Sequence, residues 1–231
     1  MTKLLHGTAK WFVAICVPFA LIMLGVRLLL TPLYLQFEYR MPGFPPDDYG
    51  FTAAQRLQWG TYGINYLTNN EPASYLGDLR IESGRPVFTS REVSHMEDVK
   101  KLVLAMLRWW YISLGVLLSL GVWAWKADWV ATYRAGLRTG GFLTLALAVT
   151  AALLGTLGAS GSGDLFWEFF SGFHGLFFSG ESWLFAYSDT LIRLYPIRFW
   201  QDTLLYLGGL AATGATSLVI GLRERRGEPA A

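Results

Sequence analysis

The sequence predicts an all-α membrane protein: a four-transmembrane-helix bundle carrying a small α+β extracytoplasmic cap. Three observations carry that expectation. The 231 residues are 53% hydrophobic and only 16% charged, against about 25% charged in a soluble domain. The apolar residues gather into four runs, Trp11 to Tyr34, Leu102 to Trp125, Thr139 to Ser160 and Phe199 to Leu222. Each is long enough to cross a hydrocarbon core of about 30 Å, which takes about 20 helical residues. Lysine and arginine, finally, are spread unevenly among the segments between the runs.

That unevenness sets the topology. Lys3, Lys10, Lys126, Arg134, Arg138, Arg223, Arg225 and Arg226 stand against only Asp128, Glu224 and Glu228 in three of the pieces, whereas segments 35–100 and 161–199 hold thirteen acidic and eight basic residues. Positively charged loops stay on the cytoplasmic side, so both termini are expected inside. The expected parts are an N-terminus with its first span (1–34), an extracytoplasmic cap (35–100), two spans with their cytoplasmic loop (101–160), an aromatic-rich outer segment (161–198), and a last span with a basic tail (199–231). The first run opens like a signal peptide, but its apolar core is too long and no small-x-small cleavage site follows, so it reads as an uncleaved anchor. The net charge of +2 reflects topology. It excludes a nucleic-acid partner, which needs a basic stripe on one face, and leaves the phospholipid bilayer as the surrounding partner. Cys16 is the single cysteine, so an intramolecular disulfide is excluded.

Within the cap, Thr52 to Gln55 has capping-box spacing and opens a helical pattern to about Leu67, where Asn69 and Asn70 suit a stop. Residues 78–82 then alternate polar and apolar, Ser83 and Gly84 supply turn chemistry, and 86–88 resume an extended run, which predicts a short hairpin. Ser94 and Glu97 are spaced as a second capping box and predict a helix running unbroken into the second span. In the second outer segment, seven aromatics fall between Asp164 and Phe178. A helix this aromatic and too short to span suits the headgroup boundary. Pro196 marks a break before the fourth span.

Chemistry-bearing residues are few. His6, at the cytoplasmic end, reads as solvated. His95 follows the Ser94 cap, so the positive end of the helix dipole favours the neutral imidazole that a general base needs; Asp98, three residues on, either orients that ring or stabilises the helix start. His174 lies inside the aromatic segment. Two histidines at one expected depth balance evenly between a catalytic pair and two structural residues. No metal or other cofactor is expected: neither HExxH nor paired cysteines occur, and two histidines alone do not complete a zinc site. GxSxG, Walker and dinucleotide patterns are absent too. Arg27 and Arg108 interrupt the first and second spans, either for function or with their heads snorkelling to the interface.

Two stretches, FTSREVSHMEDVKKL (88–102) and FHGLFFSGESWLFAYSDTLIRLYP (173–196), resemble the signature regions of the lipoprotein intramolecular transacylase family of bacterial membrane proteins. The motifs cover about forty residues, and the four-span layout extends the likeness along the chain. The resemblance implies two catalytic histidines at the cap–membrane interface, His95 and His174. Arg91, Asp98, Arg27, Phe173, Phe177, Trp183, Tyr187 and Asp189 are expected to bind substrate or support the pair. It implies a diacyl lipoprotein anchored in the bacterial cytoplasmic membrane as substrate, and transfer of its sn-2 acyl chain onto the α-amine of its N-terminal cysteine at the outer leaflet, giving the lyso form. The chain departs from the family pattern at Phe185 to Tyr187, where an acidic or proline-containing turn is usual. The competing expectation is a non-enzymatic sensor or assembly factor whose cap binds a partner and whose histidines are structural.

Overall fold

The computed structural model describes residues 2–159, 163–178 and 180–223. The end of the third expected span at Ser160, the start of the aromatic segment, and the tail charges Glu224, Arg225, Arg226 and Glu228 lie outside the described residues. Among those described are nine helices: α1 (Thr2–Leu29), α2 (Pro32–Glu38), α3 (Ala53–Tyr66), α4 (Ser74–Gly77), α5 (Ser90–Lys126), α6 (Val130–Ala159), α7 (Gly163–Phe177), α8 (Thr190–Leu194) and α9 (Ile197–Gly221). Four are long and apolar enough to cross a membrane: Lys3–Leu29, Ser90–Lys126, Val130–Leu153 and Ile197–Gly221.

The boundaries correct several expectations. The first span does not reach Tyr34. Pro32, which has no N–H to continue α1, opens α2 instead, and Thr31 caps that helix by accepting from the Tyr34 N–H at 3.3 Å. Arg134 and Arg138 are not in a loop but in the first turns of α6; the connection shrinks to 127–129, with Asp128 in the left-handed region at φ 55°. The start of α5 is Ser90, not Ser94. Its capping box is Thr89–Glu92: the Thr89 N–H donates to Glu92 Oε2 at 2.7 Å and the Glu92 N–H donates to Thr89 Oγ1 at 3.3 Å. The helix does run unbroken to Lys126, as expected, and Ile197 starts α9 directly after Pro196.

The expected hairpin does not form as strands, so the cap's β component is absent among the described residues. Arg80 and Pro86 make one isolated antiparallel bridge around the turn at Gly84 (φ 81°). Proline cannot donate to a ladder, and the next residues, Val87 and Phe88, turn inward and are buried.

The chain divides into two compact units, one of residues 1–25, 108–152 and 206–231, the other of 26–107 and 153–205. The first unit is packed by small residues. A Cβ at Gly136 of α6 would stand 2.8 Å from the Lys10 carbonyl of α1, one at Gly140 2.5 Å from Val17, and one at Gly141 2.9 Å from Val219 of α9. Glycine therefore lets these backbones approach, the usual device of apolar helix packing. Trp110 of α5 donates its indole N–H to the Ala20 carbonyl at 3.0 Å. His6, expected to be solvated, is half-buried: it stacks on Trp129 at 5.0 Å, with Trp123 edge-on at 5.9 Å.

The second unit is tied by polar groups. Arg56 of α3 donates to the Arg193 carbonyl at 2.7 Å and to the Pro45 carbonyl at 2.7 Å, and Arg193 holds Asp47 through two bonds of 2.8 and 2.9 Å. Lys100, almost fully buried, donates to Asn69 Oδ1 at 3.0 Å and to the Glu71 carbonyl at 2.6 Å, closing the end of α3 onto α5. The Tyr195 hydroxyl donates to the Gly60 carbonyl at 2.7 Å, and the α2 residue Tyr34 meets Thr203 of α9 at 2.7 Å.

Beside that last contact, Glu38 is fully buried. Burial first, and then the neighbouring Asp202 carboxylate, push its pKa up to about 8, with Arg198 acting in the opposite direction. The folded chain thus keeps a proton that the unfolded chain releases near pH 4.5. The associated stability is whole below that value and is lost as pH rises through about 8. Glu38→Gln, neutral at every pH, should therefore melt increasingly above the parent between pH 5 and 9 in detergent; thermal curves that stay parallel across that range would exclude a buried, protonated Glu38.

Candidate functional site

The second unit brings His95 and His174 together. His95 is six residues past the Thr89 cap, on the second turn of α5, and His174 is on the last turn of α7. Their ring centroids are 6.4 Å apart and their planes within 24°. The charged residues Arg91, Glu92, Glu97, Asp98, Lys100 and Lys101 occupy the first turns of α5, and the apolar run of that helix begins at Leu102.

Aromatic rings enclose the pair. Phe178 and Phe185 stand edge-on to His95 at 5.1 and 5.3 Å. Phe170 lies 4.1 Å and Trp183 4.9 Å from His174, with Phe173 edge-on at 5.8 Å. Trp200, at the start of α9, backs Phe170 at 5.9 Å. Helical spacing explains the wall on the α7 side: Phe166, Phe170 and His174 are four residues apart and share a face.

The two imidazoles differ in their polar partners. His174 Nδ1 is 2.8 Å from the Phe170 carbonyl. A carbonyl only accepts, so Nδ1 carries the proton and Nε2 is left with its lone pair. His95 Nδ1 is buried without a hydrogen-bond partner among the described residues. Burial, and then the neighbouring His174 ring, push the His95 imidazole down to about 4, with Asp98 acting in the opposite direction. Burial also lowers His174, opposed by its bond to Phe170. Both rings are neutral at pH 7. For His95 the cause is not the helix dipole, because its helix begins five residues before it; the dipole acts on Glu92 in the first turn.

The supporting residues fall into three groups. Phe173 and Trp183 touch His174, and Phe177 lies tilted against Phe173 at 5.1 Å, one step removed. Arg91 and Asp189 form a brace: the guanidinium donates to the Leu184 carbonyl, lies 4.0 Å from Asp189, and sits over the Phe185 ring at 4.7 Å, while Asp189 accepts from the Ala186 N–H at 2.8 Å. Asp98 pairs with Lys101 at 3.2 Å and acts on His95 only through its charge. Arg27, exposed in the last turn of α1, and Tyr187, 81% exposed, are not among the described groups that meet either histidine.

Sequence reasoning missed Phe170, Phe178, Phe185 and Glu92. The rings carried no signal beyond aromatic density. Glu92 did carry one, since Thr89–Glu92 has the same spacing as Ser94–Glu97; buried Val87 and Phe88 ahead of it decide in its favour. No cluster of three or more His, Cys, Asp or Glu suited to a metal occurs among the described residues.

Residues 11–200 match the model of the family described as lipoprotein intramolecular transacylase Lit. An uncharacterized protein from Aquifex aeolicus (strain VF5) is 30% identical over 194 residues, spanning 84% of this chain and 83% of its own. The solved structure of the membrane integral lipoprotein intramolecular transacylase Lit from Bacillus cereus superposes with a TM-score of 0.62 at 16% identity, over 95% of this chain and 96% of that one. The family model spans most of the chain and includes both histidines and both motifs, so the chain is a multi-pass membrane protein that belongs to the lipoprotein intramolecular transacylase family.

Proposed function

We propose that the chain moves the sn-2 acyl chain of a diacylglyceryl lipoprotein onto the α-amine of that lipoprotein's own N-terminal cysteine, with His174 as general base and His95 as its electrophilic partner. The observation that carries this reading is the pair itself: two neutral imidazoles 6.4 Å apart inside an aromatic enclosure, one with its basic nitrogen fixed. The amine nitrogen attacks the ester carbonyl carbon while His174 Nε2 takes the proton that the amine gives up. His95 polarises the developing oxyanion. Collapse breaks the bond to the glycerol oxygen, and that oxygen takes the proton back from His174. One ester becomes one amide and one hydroxyl, with no co-reactant. Two ends of one substrate must meet, so confinement by the rings supplies near-attack geometry.

Membership of the family supports a lipoprotein substrate, and the basic residues of the N-terminus and those flanking the α5–α6 connection, Lys126, Arg134 and Arg138, support a cytoplasmic position for both. In this reading the pair faces the outer leaflet, the exposed apolar side of α7, including Leu165, Phe169, Phe173 and Leu176, lies in the headgroup boundary, and Arg27 meets a polar group of the substrate.

His95→Ala and His174→Ala should each lower the ratio of lyso-form to diacyl lipoprotein about 10²–10⁴-fold at matched protein level. The double variant should be scarcely worse, because the two act as a unit. Mass spectrometry of lipoprotein N-termini reads the ratio, and full conversion by either single variant sinks the assignment. The orientation is tested by single cysteines in a Cys16→Ser background. Those at positions 48 and 85 should react with a membrane-impermeant maleimide on intact cells and one at 128 should not; the reverse pattern inverts the topology.

A further inference from the structure

Among the described residues, the Phe185 ring meets both ends of a short path along α5. Arg91 and His95 are four residues apart on the same helical face. The Arg91 guanidinium lies 4.7 Å from the Phe185 ring centroid, and the His95 ring lies 5.3 Å from it at 64°. Phe178, from the end of α7, closes a second side of His95 at 5.1 Å. The turn that presents Phe185 is fastened at both ends: Arg91 takes the Leu184 carbonyl just before it, and Asp189 holds the Ala186 N–H just after it while facing Arg91 at 4.0 Å. A solvent-exposed pair this long contributes little by itself. Here its effect is geometric, because it fixes a ring against a histidine.

We propose that Phe185, braced by Arg91 and Asp189, is a positioning residue that seats the His95 ring against His174 and screens it from water. The inference rests on the reading of His95 as part of a reacting pair, but the placement it describes exists whatever the reaction. His95 makes no hydrogen bond at Nδ1, so nothing polar fixes its rotation at that atom; the two phenyl edges do so by packing. Removing one of them opens a half-buried imidazole further to water. Among the described residues, His174 from α7 and Asp98 from α5 act on the His95 ring, Arg91 and Glu92 flank it on α5, and Asp189 before α8 faces Arg91. Phe185→Ala removes none of these groups, so a change in the titration of His95 reports solvent entry.

The test is an NMR titration of ring-labelled histidine in the full chain in detergent, where three histidines give three signals and His95→Gln identifies the one of interest. In the parent, His95 should titrate well below an ordinary histidine. In Phe185→Ala it should move towards about 6.5. Phe185→Leu, which keeps an apolar cover, should restore the parent titration, and Arg91→Gln, which removes the brace without opening a cavity, should produce a smaller shift in the Ala direction. An unmoved His95 signal in folded Phe185→Ala overturns the proposal; if that variant does not fold, an unmoved signal in Arg91→Gln does so. The titration is read without reference to turnover. A shifted signal in a chain that makes no lyso-form would therefore retain the positioning role and reject the proposed reaction, and the opposite result would do the converse.

Discussion

The carboxylate of Glu92 is the constraint on which the site depends. It is fully buried and accepts three hydrogen bonds: from the Thr89 N–H and hydroxyl at 2.7 and 2.9 Å, and from the Leu191 N–H at 2.7 Å. The first two start α5; the third takes an N–H from the first turn of α8. One side chain therefore fixes where two helices begin relative to each other. A parallel bond from the Thr190 hydroxyl to the Val87 carbonyl, at 2.5 Å, makes the joint two-sided. His95 follows Glu92 by three residues, and Asp189 precedes Leu191 by two. Loss of the carboxylate would leave buried donors unpaired, at about 1–3 kcal/mol each, and would free both the histidine and the turn that covers it.

From that joint the electrostatics follow. With α5 started at Ser90, the helix dipole is answered by Glu92, and His95 is left among rings with no charge directly opposite it. Apolar burial keeps it neutral at pH 7. His174 is neutral for the same reason, yet differs in one respect, since the carbonyl four residues before it fixes which nitrogen is basic. Two like residues thus sit in unlike surroundings, set by what each one's Nδ1 meets. The aromatic rings of α7 pack around His174 and limit its contact with water.

Much of the architecture was legible in the residues, and the failures have physical causes. Apolar run length located the four long helices, and the Thr52–Gln55 box located α3, because both signals are local. The β hairpin failed because alternation ignores Pro86, which cannot extend a ladder. The start of α5 was misplaced because two capping boxes lie five residues apart, and the choice between them is made by the burial of Val87 and Phe88 and by Leu191, which is distant in sequence. His6 looked solvated because its partners, Trp123 of α5 and Trp129 of the connection after it, are distant in sequence. The two histidines were legible as a pair through their motifs. The brace of Arg91, Phe185 and Asp189 was not, since a contact across about ninety residues leaves no spacing to read.

In the proposed reaction one molecule's acyl chain moves from its glycerol to its own amine between these two histidines. That reaction is tested most directly by incubating the purified chain with a diacylglyceryl lipopeptide that carries an isotopically labelled sn-2 acyl chain, mixed with an unlabelled lipopeptide of different peptide mass. Fragmentation of the products should find the label on the N-terminal amide of the peptide that began with it, with its sn-2 hydroxyl free. Label retained on glycerol, or found on the amine of the second peptide, would contradict the account.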